Sequence, residues 1–470
     1  MKRLTRLTWA AVLSCALALA GVGLAACAPA SPKPTGPCAD FTKYGTFTDA
    51  SVSLASTFTG AEAERLEESL AAFESCTGID VVHTGSDSME AQLLSDPQTD
   101  LAIVPQSGLV ADLVNKGALR ALPNSVNANI ELGWERSWAE AGTYNGVPYA
   151  APLMASVKSF VWFSPTAFDR LGYEIPTTWA DLESLSAQVV KDHPDGSVTP
   201  WCLGVSDGDS TGWPVTDWLE DILLFKQGPG VYDLWASHTV PLDAPAAVTA
   251  LGALDSLVMA DGRLPGGRKA AAQTTVEQAG EQLVDGSCLM LHASSSMEGM
   301  FPAGTVITDV DGKDGVTVTA TGVSTASPAP QTAATSTSST TVSAFLLPSV
   351  EADTSPVLVG GDSLVAFQSS EAITAVMDYL TSATWAQIRT ALGGVATANR
   401  GVKAADIPSD VNRRATELLQ SRQTLIRMDA SDSMPPAVGT QALWSSLASW
   451  ASGELSAKAA LAQAEAAWPK

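Results

Sequence analysis

Short apolar segments alternate with amphipathic ones in the first part of the chain. Residues 51–58 alternate small polar and apolar side chains, which predicts a strand, and residues 79–83 and 100–104 predict two more. Between the first two strands, residues 61–76 place large apolar side chains at helical spacing and carry acidic side chains early in the segment. Strands and helices that alternate at this pace are typical of α/β proteins with open, parallel sheets.

The loops that follow these three strands are expected to converge, because ligands of open α/β sheets bind at the carboxyl ends of the strands. The loops begin at residues 59, 84 and 105 and together form one predicted rim. They supply small polar and carboxylate groups, and the candidate ligand-binding residues among them are Thr59, Asp87 and Gln106.

Farther along the chain, longer extended and helical segments replace this alternation. Residues 147–161 are apolar, extended and interrupted by proline, as in a segment that crosses between two lobes. Lys158 lies in this segment, where it would either contact a ligand or pair with an acidic residue. Residues 176–190 predict a helix with Thr178 as its N-cap, and helices dominate residues 371–468.

The charge balance narrows the classes of partner. The 470 residues include 26 Lys and Arg against 50 Asp and Glu, which gives a net charge of −24. So acidic a chain has no broad basic surface for a phosphate backbone, and a nucleic-acid partner is not expected. With 46% hydrophobic residues, the chain can bury a large core, and its length allows two or three domains.

The first residues predict export. A basic start, a short apolar run and small residues are the pattern of a signal peptide, here residues 1–26. The sequence Leu-Ala-Ala-Cys that ends at Cys27 resembles the lipobox of bacterial lipoproteins, which are cut before the cysteine and carry a lipid on its thiol. This resemblance implies a lipid anchor at Cys27 on the extracellular face of the cell membrane, with residues 27–40 as a flexible tether. An ordinary cleaved signal or a single membrane helix is the alternative.

Tryptophan beside aspartate suggests carbohydrate chemistry. Twelve of the thirteen tryptophans follow the signal segment. Indole faces stack on the C–H faces of sugars, and carboxylates accept hydrogen bonds from sugar hydroxyls. Trp213, Asp217 and Trp218 lie at one predicted loop–helix junction, preceded by Asp209 and Ser210 as possible hydroxyl partners. Five positions apart on a helix, the two indoles point in different directions, which favours Trp213 for the site and leaves Trp218 open between site and core.

Two catalytic or metal-binding patterns are weak. Residues 361–364 spell Gly-Asp-Ser-Leu, the signature of a hydrolase family that needs a histidine farther along, yet no histidine follows His292. A tight turn in which Asp362 caps or faces a cleft is the favoured interpretation. Residues 309–315 are similar to a calcium loop, but Ala320 occupies the position of the required glutamate, so a solvated turn is expected. Neither a metal nor a cofactor is predicted, and the chain is expected not to be an enzyme.

The order of several segments along nearly the whole chain resembles the extracellular solute-binding proteins of bacterial ABC importers, in the branch that serves sugars and α-glucosides. The segments that carry this resemblance are residues 58–60, 100–109, 176–182, 201–204, 212–219, 359–362 and 434–444. It implies a carbohydrate ligand, docking on the permease subunits of the importer, and a monomer. It also implies that Trp444 forms an aromatic platform under the sugar, whereas helical periodicity alone would place Trp444 in the core.

The predicted fold class is α/β, with the two-lobed fold of periplasmic binding proteins: two mixed sheets flanked by helices, joined by hinge crossovers and closing over a ligand. The predicted map assigns residues 41–153 plus 293–372 to the first lobe and residues 154–292 plus 373–470 to the second. The Ser- and Thr-rich segment 324–341 departs from the family pattern. An exported glycoside hydrolase or esterase, or the same fold binding a peptide, metal or polyamine, is the alternative.

Four cysteines remain after the signal segment and the proposed lipid site, an even number in an exported chain. They allow three pairings, of which Cys38 with Cys76 and Cys202 with Cys288 is favoured because each pair falls within one predicted lobe. Zinc is disfavoured, since the cysteine spacing lacks a C-x₂-C motif and the four histidines are scattered. The complete set of candidate ligand-binding residues is Thr59, Asp87, Gln106, Lys158, Asp209, Ser210, Trp213, Asp217, Asp362 and Trp444.

Overall fold

The structure is a computed structural model that describes residues 36–312, 315–319, 323–324, 341–349 and 356–469. The predicted signal peptide, the lipid site at Cys27, the first part of the tether and most of the Ser- and Thr-rich segment lie outside the described residues. In the described part of the chain, none of the helices is long and apolar enough to cross a membrane.

Seventeen strands are present in the described residues. They are β1 (Ala50–Ser56), β2 (Ile79–Gly85), β3 (Leu101–Val104), β4 (Thr143–Tyr144), β5 (Val147–Pro148), β6 (Ala150–Pro152), β7 (Ser156–Val157), β8 (Phe160–Phe163), β9 (Thr199–Cys202), β10 (Cys288–His292), β11 (Val306–Thr308), β12 (Gly315–Val318), β13 (Val323–Ser324), β14 (Thr341–Leu346), β15 (Val357–Gly360), β16 (Ser363–Ala366) and β17 (Ile426–Met428).

Seventeen α-helices accompany them in the same described ranges. They are α1 (Gly60–Thr77), α2 (Met89–Ser95), α3 (Ser107–Asn115), α4 (Asn124–Gly133), α5 (Arg136–Ala141), α6 (Pro165–Leu171), α7 (Trp179–Asp192), α8 (Trp213–Ile222), α9 (Pro229–Ala236), α10 (Pro245–Leu254), α11 (Gly267–Ala271), α12 (Val276–Asp285), α13 (Glu371–Leu380), α14 (Ala383–Ala391), α15 (Asp410–Gln420), α16 (Trp444–Ser452) and α17 (Ala457–Glu465).

The first lobe is built on a five-stranded sheet, sheet A, with the order β2-β1-β3-β16-β6. As the alternating pattern predicted, β1 pairs in parallel with β2 and β3, while β16 runs antiparallel to β3 and β6. Helices α1, α4 and α13 pack on this sheet. The apolar positions predicted for the face of α1, at Leu66, Leu70 and Phe73, are buried in its core.

The second lobe is built on a seven-stranded sheet, sheet B, with the order β13-β12-β11-β14-β8-β10-β9. Helices α7 and α12 pack on it, and α8 packs against α10 and α16. Its core contains stacked and edge-on aromatic rings, among them Trp201 against Trp218 with 5.1 Å between ring centroids.

Three strands lie between the lobes and form sheet C, with the order β17-β15-β7. β7 follows β6 of sheet A and precedes β8 of sheet B, whereas β15 leads back from β14 of sheet B to β16 of sheet A. The chain therefore crosses between two α/β lobes through paired extended segments, which confirms the predicted hinge crossovers and fold class.

The structure corrects the predicted map of the lobes. The map placed residues 293–372 in the first lobe, but β11, β12 and β14 all pair within sheet B. It also placed residues 373–470 in the second lobe, whereas α13 packs on β1 and α14 packs on α1, both in the first. Sequence order alone misleads here, because these pairings join segments that are far apart in the chain.

Each predicted disulfide is present. Cys38–Cys76 ties the N-terminal turn to the end of α1, and the two residues are 38 apart in sequence. Cys202–Cys288 joins β9 to the neighbouring β10, across 86 residues. Each bridge lies within a single lobe, the first in the first lobe and the second in the second lobe. Each restricts the unfolded chain, and neither joins the two lobes.

The start of α7 offers a test of local stability. Thr178 accepts a hydrogen bond from the Asp181 N–H at 3.1 Å, and the Asp181 carboxylate accepts one from the Thr178 N–H at 3.0 Å. Replacement of Thr178 by alanine is expected to lower the free energy of unfolding by about 1 kcal/mol, because one helix-end N–H loses its partner. Urea unfolding measures this change. Ser184→Ala, an exposed position on the same helix, is the control, and an equal loss in both variants would contradict the role of the cap.

Candidate functional site

A cavity of about 690 Å³ lies between the two lobes. It is lined by the rim loops of sheet A, by the crossing segments next to sheet C and by the loop–helix junctions of the second lobe. A cavity of similar volume, about 730 Å³, lies on the first lobe alone, beside Lys43, Ser370 and Asp378. Only the former combines groups from both lobes, and it is therefore the candidate site.

Nine of the ten predicted ligand-binding residues line this cavity. They are Thr59, Asp87, Gln106, Lys158, Ser210, Trp213, Asp217, Asp362 and Trp444. Asp209 lies in the short 3₁₀ turn Gly208–Ser210, is exposed, and is outside the lining. Its neighbour Asp207 takes a place in the lining instead, because the turn directs the two carboxylates to different sides.

The wall that the first lobe contributes follows from its parallel strands. Thr59 is the N-cap residue of α1 and Gln106 that of α3, while Asp87 lies in the turn before α2. All three therefore meet at the carboxyl edge of sheet A, as the strand pattern predicted. Glu62, in the first turn of α1, also lines the cavity. Sequence reasoning missed it, since its spacing equally suits a solvated helix face.

Trp213 forms part of the opposite wall, at the first position of α8. Its indole Nε1–H donates a hydrogen bond to Asp207 Oδ2 at 2.6 Å, which fixes the orientation of the half-buried ring. Gly212, just before it, has a φ of +110°. A Cβ at Gly212 would lie 2.1 Å from the Trp444 carbonyl oxygen, so only glycine lets α8 and α16 begin so close together.

Trp218 lies in the core, with only 1% of its surface exposed. It contacts Trp201 edge-on and stacks on His292 with 4.1 Å between ring centroids. The opposite directions expected of the two indoles on α8 are therefore observed. Trp213 faces the cavity, and Trp218 holds the helix against sheet B.

Trp444 is almost wholly buried and still lines the cavity. It follows the π-helical segment Ala437–Leu443, a rare geometry that recurs at functional sites. No described residue offers a hydrogen-bond partner to its buried Nε1. Because buried polar groups are normally paired, this N–H is a donor whose partner the described residues do not supply.

Lys158 lies at the floor of the cavity within a cluster of carboxylates. Its Nζ is 3.0 Å from Asp217 Oδ1, 2.5 Å from Asp429 Oδ2 and 3.4 Å from Asp432 Oδ2. Burial opposes the charge of the lysine, but the three carboxylates hold the Lys158 pKa well above its usual value. Of the two roles predicted for Lys158, the structure shows the pairing with acidic residues, at a position that also lines the cavity.

The carboxylates of this region differ in their protonation. Burial is the first cause that raises the pKa of Asp432 to about 7, followed by the charge of Asp429. Burial and then Glu62 raise the pKa of Asp362 to about 7 as well. In contrast, Lys158 and hydrogen bonds outweigh burial and lower the pKa of Asp429. Asp429 and Asp432 were missed because nothing in their local sequence indicates that a lysine over two hundred residues away meets them.

Asp362 lies in the turn between β15 and β16, as the favoured interpretation of Gly-Asp-Ser-Leu required. A Cβ at Gly361 would lie 2.5 Å from the Met154 carbonyl oxygen, which explains the glycine. His292 is paired with Asp221 Oδ2 at 2.7 Å in the second lobe. The histidine nearest in sequence is therefore already engaged by Asp221 in a buried hydrogen bond.

A buried hydrogen-bond network fixes the crossing segment to the second lobe. Ser159 Oγ donates to Asp221 Oδ1 at 2.6 Å and accepts from the Leu358 N–H of β15 at 2.8 Å. The other oxygen of Asp221 pairs with His292 at the end of β10. The network therefore ties β15 and the segment between β7 and β8 to α8 and β10.

The two lobes touch along one side of the cavity. Thr440 Oγ1 donates to the Glu90 carboxylate, with oxygens at 3.2 and 3.3 Å, and Ser107 Oγ donates to Ser433 Oγ at 3.1 Å. Gly108 approaches still closer, since a Cβ there would lie 1.9 Å from the Met434 carbonyl oxygen. These contacts join α2 and α3 of the first lobe to the segment after β17.

Within the described residues, no group of three or more His, Cys, Asp or Glu side chains has a geometry that could hold a metal ion. The side chains that line the cavity offer hydrogen-bonding groups, aromatic rings and charges.

Comparisons with known proteins extend this picture. No family model matches the chain. It is 30% identical over 425 residues to the osmoprotective compounds-binding protein GgtB of Synechocystis sp., which covers 89% of this chain and 92% of that protein. It is 29% identical over 414 residues to the alpha-glucosides-binding periplasmic protein AglE of Rhizobium meliloti, covering 84% and 82%.

Solved structures share the fold at lower identity. The bacterial solute receptor AcbH, described with an exclusive preference for β-D-galactopyranose, has a TM-score of 0.68 at 14% identity, covering 89% of this chain and 98% of that one. The GacH receptor of Streptomyces glaucescens, solved unliganded and with acarbose, has a TM-score of 0.64 at 16% identity, covering 90% and 98%. At such identities the likeness shows the fold, which is the two-lobed one.

Proposed function

The chain belongs to the extracellular solute-binding proteins of ABC transporters, and from that premise we propose that it captures a carbohydrate of the glucoside class between its two lobes. The alpha-glucoside and osmoprotectant relatives support this ligand class. We also propose that the chain is anchored through Cys27 on the extracellular face of the membrane and works as a monomer. The ligand is then delivered unchanged to the permease subunits, and no bond is made or broken.

One observation carries the proposal. The cavity combines the indoles of Trp213 and Trp444 with carboxylates that come from both lobes. Within the described residues, Trp444 Nε1 and Asp217 Oδ2 are buried without a hydrogen-bond partner, one a donor and the other an acceptor. A hydroxyl group accepts from the first and donates to the second, and sugar rings stack on indole.

Closure follows from the position of these groups. Thr59, Asp87 and Gln106 belong to the first lobe, whereas Trp213 and Trp444 belong to the second. A ligand touches both sets only when the lobes are together, so its binding favours the closed state by the difference in contact energy. Micromolar affinity corresponds to about −8 kcal/mol, which a few stacked rings and carboxylate bonds can supply after the ordering costs.

The test is titration calorimetry of the purified protein with maltose, trehalose, sucrose and maltotriose, with tryptophan fluorescence in parallel. At least one of these glucosides is expected to bind with a micromolar dissociation constant and to change the emission of Trp213. A glycoside-hydrolase role is checked by leaving the titrated mixture of protein and sugar for a day and then testing by chromatography whether the sugar is intact. Recovery of intact sugar supports the proposal, and tight binding of a peptide or polyamine with no sugar binding would overturn it.

A further inference from the structure

The walls of the cavity carry far more negative than positive charge. Among the described residues, seven acidic side chains and one basic side chain line it. The basic residue, Lys158, is already shared by three carboxylates, two of which belong to the seven. The charge of the buried Arg389 acts to lower the pKa of two of the seven, Glu62 and Asp362, and so offsets part of the excess. A neutral hydroxyl-bearing ligand still needs only a few acceptors, and the remaining carboxylates exceed that number.

Three of the seven carboxylates meet at the same end of the cavity. Asp87 comes from the first lobe, whereas Asp207 and Glu277 come from the second. A Cβ built on Gly208, next to Asp207, would lie 3.6 Å from Asp87 Oδ2, so the two walls come close together here. Burial raises the pKa of Asp207, and the charges of Glu277 and Asp87 raise it further. Closing the lobes therefore brings like charges together.

The indole of Trp213 lies among these carboxylates. Its Nε1–H is bound to Asp207, which leaves the ring to line the cavity. An aromatic face next to carboxylates is the combination that binds ammonium groups, since the ring quadrupole and the negative charges both attract a cation. A second observation, independent of the charge count, also indicates a ligand in the cavity. Asp217 is only 2% exposed, and its Oδ2 has no hydrogen-bond partner among the described residues.

We propose that the preferred ligand is a glycoside that carries a positively charged amino group, held against Trp213 by Asp87, Asp207 and Glu277. This inference rests on the proposed function and narrows its ligand class. The cation removes the repulsion between the two walls, so it favours closure directly. A sugar that carries a phosphate or carboxylate would add to the negative charge and is excluded.

The experiment compares matched sugars by calorimetry at low salt. For each glucoside of the panel above, the parent, its 2-amino-2-deoxy and 6-amino-6-deoxy derivatives and its 6-phosphate are titrated, with spermidine as a cation that lacks a sugar. At least one amino derivative is expected to bind tenfold or more tightly than its parent, a difference of about 1.4 kcal/mol. The preference is expected to shrink at high salt, and the phosphate to bind at least tenfold more weakly than the parent.

A double variant locates the effect. In Asp87→Asn with Glu277→Gln, both at accessible positions, the ratio of parent to amino-sugar dissociation constants is expected to fall to about one. The matched control is Glu131→Gln, an exposed carboxylate on α4 away from the cavity, which is expected to keep the full preference.

The possible outcomes distinguish a failure of the amino-sugar inference from a failure of the proposed function. If a parent glucoside binds and every amino derivative binds no more tightly, the amino-sugar inference is overturned and the proposed function stands. If the double variant keeps the preference for the amino derivative over the parent sugar, the assignment of the amine-binding site to these carboxylates is likewise overturned. If no sugar binds in any form, with or without binding of spermidine, the proposed function fails and this inference fails with it.

Discussion

Replacement of Lys158 by methionine is expected to lower the free energy of unfolding by about 3–5 kcal/mol at pH 7, because it leaves buried carboxylates without their cation. Lys158 contacts Asp217, Asp429 and Asp432, and the first two of these are nearly inaccessible to water. Methionine keeps most of the length of the side chain, so the loss reports charge more than packing. Urea unfolding followed by circular dichroism measures it.

The loss is expected to depend on pH in a defined direction. Lys158 lowers the pKa of Asp429 in the folded protein, so this carboxylate adds stability above its unfolded pKa of about 3.9 and loses it as the pH falls. In the methionine variant that contribution is gone, and burial favours the protonated acids. The gap between variant and wild type is therefore expected to narrow from pH 7 to pH 4.

Asp432→Asn is the matched control within the same cluster. The folded pKa of Asp432, about 7, lies above its unfolded value, so its ionisation costs stability as the pH rises between the two. At pH 8 this variant is expected to be as stable as the wild type or more so. If the free energy of unfolding of the Lys158 variant lies within about 1 kcal/mol of the wild-type value, the lysine does not stabilise the ionised carboxylates of the cluster.

Trp213→Ala and Trp444→Ala are each expected to weaken glucoside binding at least tenfold, and the double variant about a hundredfold, or about 2.7 kcal/mol. Each substitution removes an indole face from the wall, and Trp444→Ala also removes the buried N–H that lacks a partner among the described residues. Calorimetry with the best sugar of the panel gives the dissociation constants, and circular dichroism verifies that the variants are folded.

Trp468→Ala controls for the general loss of a tryptophan. This residue stacks on His238 with 3.6 Å between ring centroids, outside the cavity. It is expected to leave the affinity unchanged. Wild-type affinity in the Trp213 or Trp444 variant would remove that residue from the binding site, whatever its position in the cavity.

The sequence predicted best what local rules determine. The strands of sheet A, the cap at Thr178 and the convergence of the rim loops follow from side-chain period and from parallel topology. The split between Trp213 and Trp218 follows from helix geometry alone. These features depend on residues that are neighbours in the chain, which explains why one sequence suffices to find them.

Features that depend on contacts between residues far apart in the sequence could not be predicted. β14 pairs with β8, although nearly two hundred residues separate them, and the predicted map therefore missed that β11, β12 and β14 belong to sheet B. The same map placed β16 correctly in the first lobe. The partners of Lys158 come from α8 and from the segment after β17. Sequence reasoning chose Asp209, whereas Asp207, two positions earlier, is the residue that lines the cavity, and the path of a short 3₁₀ turn cannot be read from the sequence.

The absence of a side chain at Gly108 has a wider meaning for transport. At this point the backbone of one half rests directly on the Met434 carbonyl of the other, with no room for even a methyl group. A methyl group added at Gly108 would hold the two lobes apart at this point, although it changes none of the side chains that line the cavity. The residue at position 108 thus affects the equilibrium between the open and closed states in the absence of ligand. This equilibrium determines how well a permease that recognises the closed state distinguishes ligand-bound from ligand-free protein.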